Sequence, residues 1–72
     1  MAYKLAGKTY RSIDLLVVCN LGDGSVIDKL TNIPGGHEWQ ITGLSNDNPV
    51  LVYAVFSTGH IEGYGNVIPV SE

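Results

Sequence analysis

Charge is scarce in this 72-residue chain: 15% of its residues are charged and 44% are hydrophobic, where a charged share of about a quarter is usual. A surface so short of solubilising groups suits a subunit covered by neighbours better than a free monomer. Cations are scarcer still. Lys4, Lys8, Arg11 and Lys29 stand against seven carboxylates, for a formal charge of −3, and they form no dense run. Phosphate backbones and anionic bilayers both require a concentrated cationic face, so neither nucleic acid nor membrane is expected as a partner. Cys19 is the one cysteine, which excludes an intramolecular disulfide and any cysteine-based zinc site. No apolar run approaches the roughly 20 residues that span a bilayer, and the N-terminus lacks a signal-peptide pattern. The chain is therefore expected in the cytoplasm, or in whatever particle it joins there. Helical signatures are missing too, because β-branched and aromatic residues are dense and glycine or proline interrupts most windows of eight.

What is present is β-patterning, organised around residues 48–70. Residues 50–57 are apolar on both parities, Leu51, Tyr53 and Val55 against Val50, Val52, Ala54 and Phe56. A glycine-punctuated loop at 58–63 and a closing strand at 64–70 are predicted to follow. Upstream, residues 3–9 alternate Tyr3, Leu5, Gly7 and Thr9 against Lys4, Ala6 and Lys8, the period of a half-buried strand. Residues 13–20 set Ile13, Leu15, Val17 and Cys19 against Asp14, Leu16, Val18 and Asn20, a second strand apolar on both faces at its centre. Asp23-Gly24 supplies the positive-φ residue of a tight hairpin, with its return strand at 25–31. There Asp28 shares a parity with Val26 and Leu30, which predicts an edge strand or a bulge. After the breaker Pro34-Gly35-Gly36, residues 37–42 alternate cleanly and place Trp39 and Ile41 in the core. Strand-length segments at such spacing predict one all-β domain over residues 1–72, a small antiparallel β-sandwich of about six or seven strands. A domain this small buries only about 60% of the surface of its unfolded chain, so assembly is expected to support it.

A sandwich strand needs one apolar face; the strands at 13–20 and 50–57 have two. The surplus predicts a protein interface, assigned to Leu16, Val18, Val50, Val52 and Phe56 as the outward set.

Constellations that could carry chemistry are sparse. His37-Glu38 and His60-x-Glu62 hold metal-ligating types, but in no established ligand spacing, and exposed loop polarity is the favoured reading. Asp23 and the Asn46, Asp47, Asn48 cluster are oxygen-rich; Asn and Asp that bond their own backbone in turns account for them more simply than calcium. Cys19, between apolar neighbours and with no adjacent base, reads as a small apolar filler. The serines occupy turn contexts. Trp39 and the scattered tyrosines favour packing over a stacking platform, and the glycine pairs lack the helix that a phosphate cradle requires. No catalytic residue, metal or cofactor is expected.

The pattern Asp23-Gly24-Ser25-Val26-Ile27, then Gly36-x-x-Trp39-x-Ile41-x-Gly43-Leu44, then Val52-Tyr53-Ala54-Val55 and Tyr64-Gly65-Asn66-Val67-Ile68-x-Val70 resembles carboxypeptidase-regulatory-like, transthyretin-like (prealbumin-type) β-sandwich domains. It looks most like the short versions found in tailed-phage virion proteins, and the likeness extends from Leu5 to Val70. The resemblance implies a non-enzymatic structural or interaction module: a capsid decoration or tail-associated subunit present in many copies. Its partners would be virion proteins and copies of itself, located in the virion and, before assembly, in the host cytoplasm. A small phage-encoded inhibitor binding a host defence protein is the alternative. Related sandwiches form a Lys to Asn or Asp isopeptide; Lys4 or Lys8, Asn66 and Glu38 are the candidates here, and the matching motif residues are absent.

Overall fold

Every segment with period-two alternation is a strand in the computed structural model, which describes residues 2–72. In chain order these are β1 (Tyr3–Lys8), β2 (Ile13–Asn20), β3 (Val26–Ile33), β4 (Glu38–Leu44), β5 (Val50–Phe56), β6 (Ile61–Val67) and β7 (Val70–Ser71). They form two antiparallel sheets, one in the order β4-β1-β7 and one in the order β3-β2-β5-β6. The core lies between them. Leu5, Ile41 and Leu44 of the smaller sheet meet Ile13, Leu16, Val18, Val50 and Val52 of the larger. The all-β sandwich expected from the sequence is the observed architecture.

The first hairpin is built as Asp23-Gly24 predicts. Gly24 has φ +76°, its N–H donates to Asn20 O at 2.8 Å, and Asn20 N–H donates to Ser25 O at 2.8 Å. Asp23 Oδ1 accepts from Ser25 N–H at 2.9 Å and Ser25 Oγ–H at 2.7 Å. Those two bonds hold the Asp23 carboxyl below its ordinary pKa. The return strand is both an edge and bulged: Val18 pairs with Asp28 but Cys19 with Val26, which leaves Ile27 as the extra residue.

Three other strands depart from the expected bounds or parity, each for a local reason. In β4 the pairing moves from Leu5 with Ile41 to Tyr3 with Leu44. Gly43, at φ +74°, takes the left-handed conformation a bulge needs. Ile41 and Leu44 thereby both face inward, and the strand runs two residues past the expected Thr42. In β2 the pairing moves from Ile13 with Phe56 to Leu15 with Val55, so Asp14 is the extra residue. Ile13 and Leu16, three apart, are consequently both buried. The strand expected at 64–70 is instead two strands in different sheets. β6 begins at Ile61, and after Val67 the chain crosses to the smaller sheet through Ile68 and Pro69, whose missing N–H cannot continue a ladder.

The interface assignment is corrected by the burial. Leu16, Val18, Val50 and Val52 are between 0% and 5% exposed and belong to the core; Phe56 is half-buried and packs against it. The bulge at Asp14 is the cause for β2. It reverses the face carried by each parity partway along the strand, so that Leu16 and Val18 turn in although Asp14, on the same parity, is exposed.

Candidate functional site: the outer face of the four-stranded sheet

With Leu16, Val18, Val50 and Val52 turned inward, the other parity of β2 and β5 faces away from the core. The register gives the outer face row by row. Cys19 lies between Val26 and Leu51. Val17 lies between Lys29 and Tyr53, and Tyr53 is followed by Gly63. Leu15 lies between Thr31 and Val55, and Val55 is followed by Ile61. Lys29, on the β3 rim, is the only charged residue in these rows.

The β6 side of this face has almost no side chains, and its neighbours occupy the space. A Cβ placed on Gly63 would lie 3.1 Å from two ring carbons of Tyr53, and one on Gly65 would lie 3.8 Å from Leu51 Cδ1. The ring of Tyr53 therefore lies against bare backbone, leaving the residue 41% exposed, while Val26 and Ile61 at opposite rims are 63% and 62% exposed. Leu15, Val17, Leu51 and Val55 are half-buried. Cys19 is buried yet lies outside the core cluster, its small side chain flanked by Val26 and Leu51 across the strands.

The outer face of the other sheet is the opposite in character. Lys8 pairs with Glu38, Ala6 with Gln40 and Lys4 with Val70, and all but the half-buried Lys4 are exposed. The molecule thus has one wettable face and one apolar face.

A polar cluster occupies the open side of the sandwich, where β7 covers only the Tyr3 and Lys4 end of β1. A cleft of 260 Å³ there is lined by Lys8, Tyr10, Arg11, Phe56, Glu62 and Tyr64, among others. Tyr64 Oη–H donates to Glu62 Oε2 at 2.9 Å, and His60 Nε2 lies 3.3 Å from Glu62 Oε1. His60 also stacks on Phe56 with ring centroids 5.9 Å apart. Donation from Tyr64, then the bond and charge of His60, hold the Glu62 carboxyl below its usual range. The same bond pushes the Tyr64 phenol up.

The remaining sequence candidates fall in separate places. His37 is in the loop before β4, with Nδ1 3.3 Å from Gly35 O, away from the β5–β6 hairpin that carries His60. Among the described residues no three His, Cys, Asp or Glu side chains converge as metal ligands would. Asn46 Oδ1 accepts from Asn48 N–H at 3.0 Å, the turn chemistry expected of it. Trp39 is half-buried against the core with its indole laid over Gly7, where a Cβ would fall 2.6 Å from the ring. Glu38 and Asn66 belong to different sheets.

Leu15, Val17, Leu51, Tyr53, Val55 and Ile61 are the surface residues that sequence reasoning missed. The available signal was Gly63 and Gly65 two apart on the strand beside Tyr53: a glycine pair on one parity marks a face where a neighbour's ring needs the room. Comparison with protein-family models, with curated proteins and with solved structures finds no match to this chain.

Proposed function

We propose that the chain is a non-enzymatic structural subunit that acts by burying the outer face of its four-stranded sheet against other protein. In this reading it is repeated in many copies as a capsid decoration or tail-associated component of a tailed-phage particle. The observation that carries the interaction is the contrast between the two outer faces: one carries Lys4, Lys8, Glu38 and Gln40 with Ala6 and Val70, the other Val17, Leu51, Tyr53, Val55 and Ile61 with Lys29 and Thr31 at one rim. The scarcity of charge in the whole chain supports the same reading, and the resemblance to short virion β-sandwich domains supplies the particle.

The magnitudes suit a subunit held by many neighbours. Four strands about 4.8 Å apart and three side-chain rows about 6.8 Å apart give a footprint of roughly 400 Å². Counted over both partners, such a contact buries about 800 Å², below the roughly 1,200–2,000 Å² of standard specific interfaces. Association itself costs about 4–15 kcal/mol, so a single contact is weak and repetition makes it durable. Mass spectrometry of purified particles from cells producing this chain tests the assignment. The expected result is a stoichiometric, multi-copy signal. A chain found in infected-cell lysate and absent from particles would refute the virion reading, and is what an inhibitor of a host protein would give.

A further inference from the structure

We propose that the occupant of the apolar sheet face is a second copy of this chain, seated face to face across a two-fold axis that runs parallel to the strands between β2 and β5. This rests on the reading of that face as a docking surface and adds its partner.

Shape is the first argument. Rotation about such an axis keeps each row and reverses its order, so the β3 rim of one copy lies over the β6 rim of the other. Val26, Lys29 and Thr31 form the crowded rim, and Gly65, Gly63 and Ile61 the sparse one. The pairing puts the Lys29 stem over Gly63, where it meets the Tyr53 ring that covers that glycine, and Val26 over Gly65 beside Leu51. At the centre Val17 lies over Tyr53, Leu15 over Val55 and Cys19 over Leu51. Each large side chain meets a smaller or equal one, Ile61 over Thr31 included, the condition for interdigitation at the roughly 10 Å spacing of stacked sheets.

Charge is the second. A partner of opposite charge is not what this face selects, because Lys29 is its only charge and sits on a rim. Two Lys29 ammonium groups related by the axis lie at opposite edges, three strand spacings or about 14 Å apart in projection, and repel little in water. Each also has an acceptor within its new surroundings. Phe56 N–H donates to His60 O at 2.8 Å, which sets the even residues of β6 toward β5 and leaves the Ile61 and Gly63 carbonyls on the free edge.

Area sets the strength. Two footprints of about 400 Å² sum to roughly 800 Å², below the ~1,200 Å² at which stable specific complexes begin and in the range of weak, transient contacts, so the dimer is expected to dissociate in the range of about 10–100 μM.

Sedimentation equilibrium of the intact chain, its Tyr53→Lys variant and its Ile61→Glu variant tests this, with circular dichroism at low concentration as the check on folding. Both substitutions are at exposed outer-face positions, so at least one is expected to fold if the other does not. The expected result is a wild-type dimer weakened at least tenfold in each folded variant, and loss of the variants from particles. A wild-type chain that stays monomeric to about 1 mM, while Tyr53→Lys is still lost from particles, would overturn the dimer and leave the docking face standing with another occupant. A dimer that survives both substitutions would place self-association on another surface and also overturn the proposal. Variants that remain in particles at wild-type levels would overturn the docking face itself.

Discussion

Leu16 and Val17 are neighbours in the chain and face opposite ways in the fold. Leu16 is 2% exposed inside the core, and Val17 is half-buried in the middle of the outer face. The physics of the two positions differs accordingly. Leu16→Ala removes methyl groups from a packed interior and leaves a cavity, and is expected to lower the unfolding free energy by about 2–4 kcal/mol. Val17→Ser trims a side chain that solvent already reaches, and at concentrations where the chain is monomeric it is expected to cost about 1 kcal/mol or less. Urea titration of both variants checks the difference; equal losses would mean that the outer face is part of the folding core. Which of the two would be inside was not legible in the sequence. Both are apolar, and the one polar cue nearby, Asp14 on the parity of Leu16, points the wrong way. Asp14 is the bulged residue, so its parity has no bearing on Leu16. Trp39 was more legible, because clean alternation leaves one choice; what the alternation does not show is that Gly7 is bare so that the indole can lie across it.

At the scale of elements, β6 concentrates what is unusual. It is an edge strand with glycines on its outer parity and the linked Glu62 and Tyr64 on its inner one. The edge carries the chain's one described ion-pair contact, between His60 and Glu62 at 3.3 Å. Because Glu62 and Asp23 both have folded pKa values below their ordinary 4.5 and 3.8, the stability they contribute is present above those values. It is lost as pH falls through the lower, folded values. Tyr64 works in the other direction. Its folded pKa lies above 10.0, so its contribution is complete below pH 10 and is lost as pH rises through the higher, folded value. Tyr64→Phe removes the bond responsible for both shifts. Relative to wild type, the variant is expected to show a shallower decline of urea midpoint between pH 5 and pH 3 and a shallower decline above pH 10. An unchanged acid limb would mean that the hydrogen bond does not persist in solution. Element identity was largely readable, since each alternating segment became a strand. Element ends were not, because a single left-handed residue, Gly43 in β4 or Asn66 at φ 57° in β6, extends or redirects pairing without disturbing the local pattern.

At the scale of the molecule, the sandwich and its surplus of apolar surface were both legible from composition and alternation, whereas the side of each strand bearing that surplus required the register. In the proposed dimer a second copy covers the apolar outer face of the two-layer sandwich. Self-association then couples to folding by mass action, because the dimer contains only folded chains. For a domain of this size the unfolding enthalpy is roughly 0.7 kcal/mol per residue near 60 °C. Above the dissociation constant, each tenfold rise in concentration is therefore expected to raise the melting midpoint by about 3–5 °C. The sign is diagnostic, since nonspecific aggregation of unfolded chains pulls the midpoint down as concentration rises, while a native dimer pushes it up. Ile61→Glu places a carboxylate on the rim that lies over Thr31 of the other copy, next to a core it does not touch. Its midpoint is expected to match wild type at low micromolar concentration and to stay flat as concentration increases. Calorimetry from about 5 μM to 500 μM reads the two slopes directly, and a flat wild-type slope over that range would leave the apolar face without a second copy to cover it.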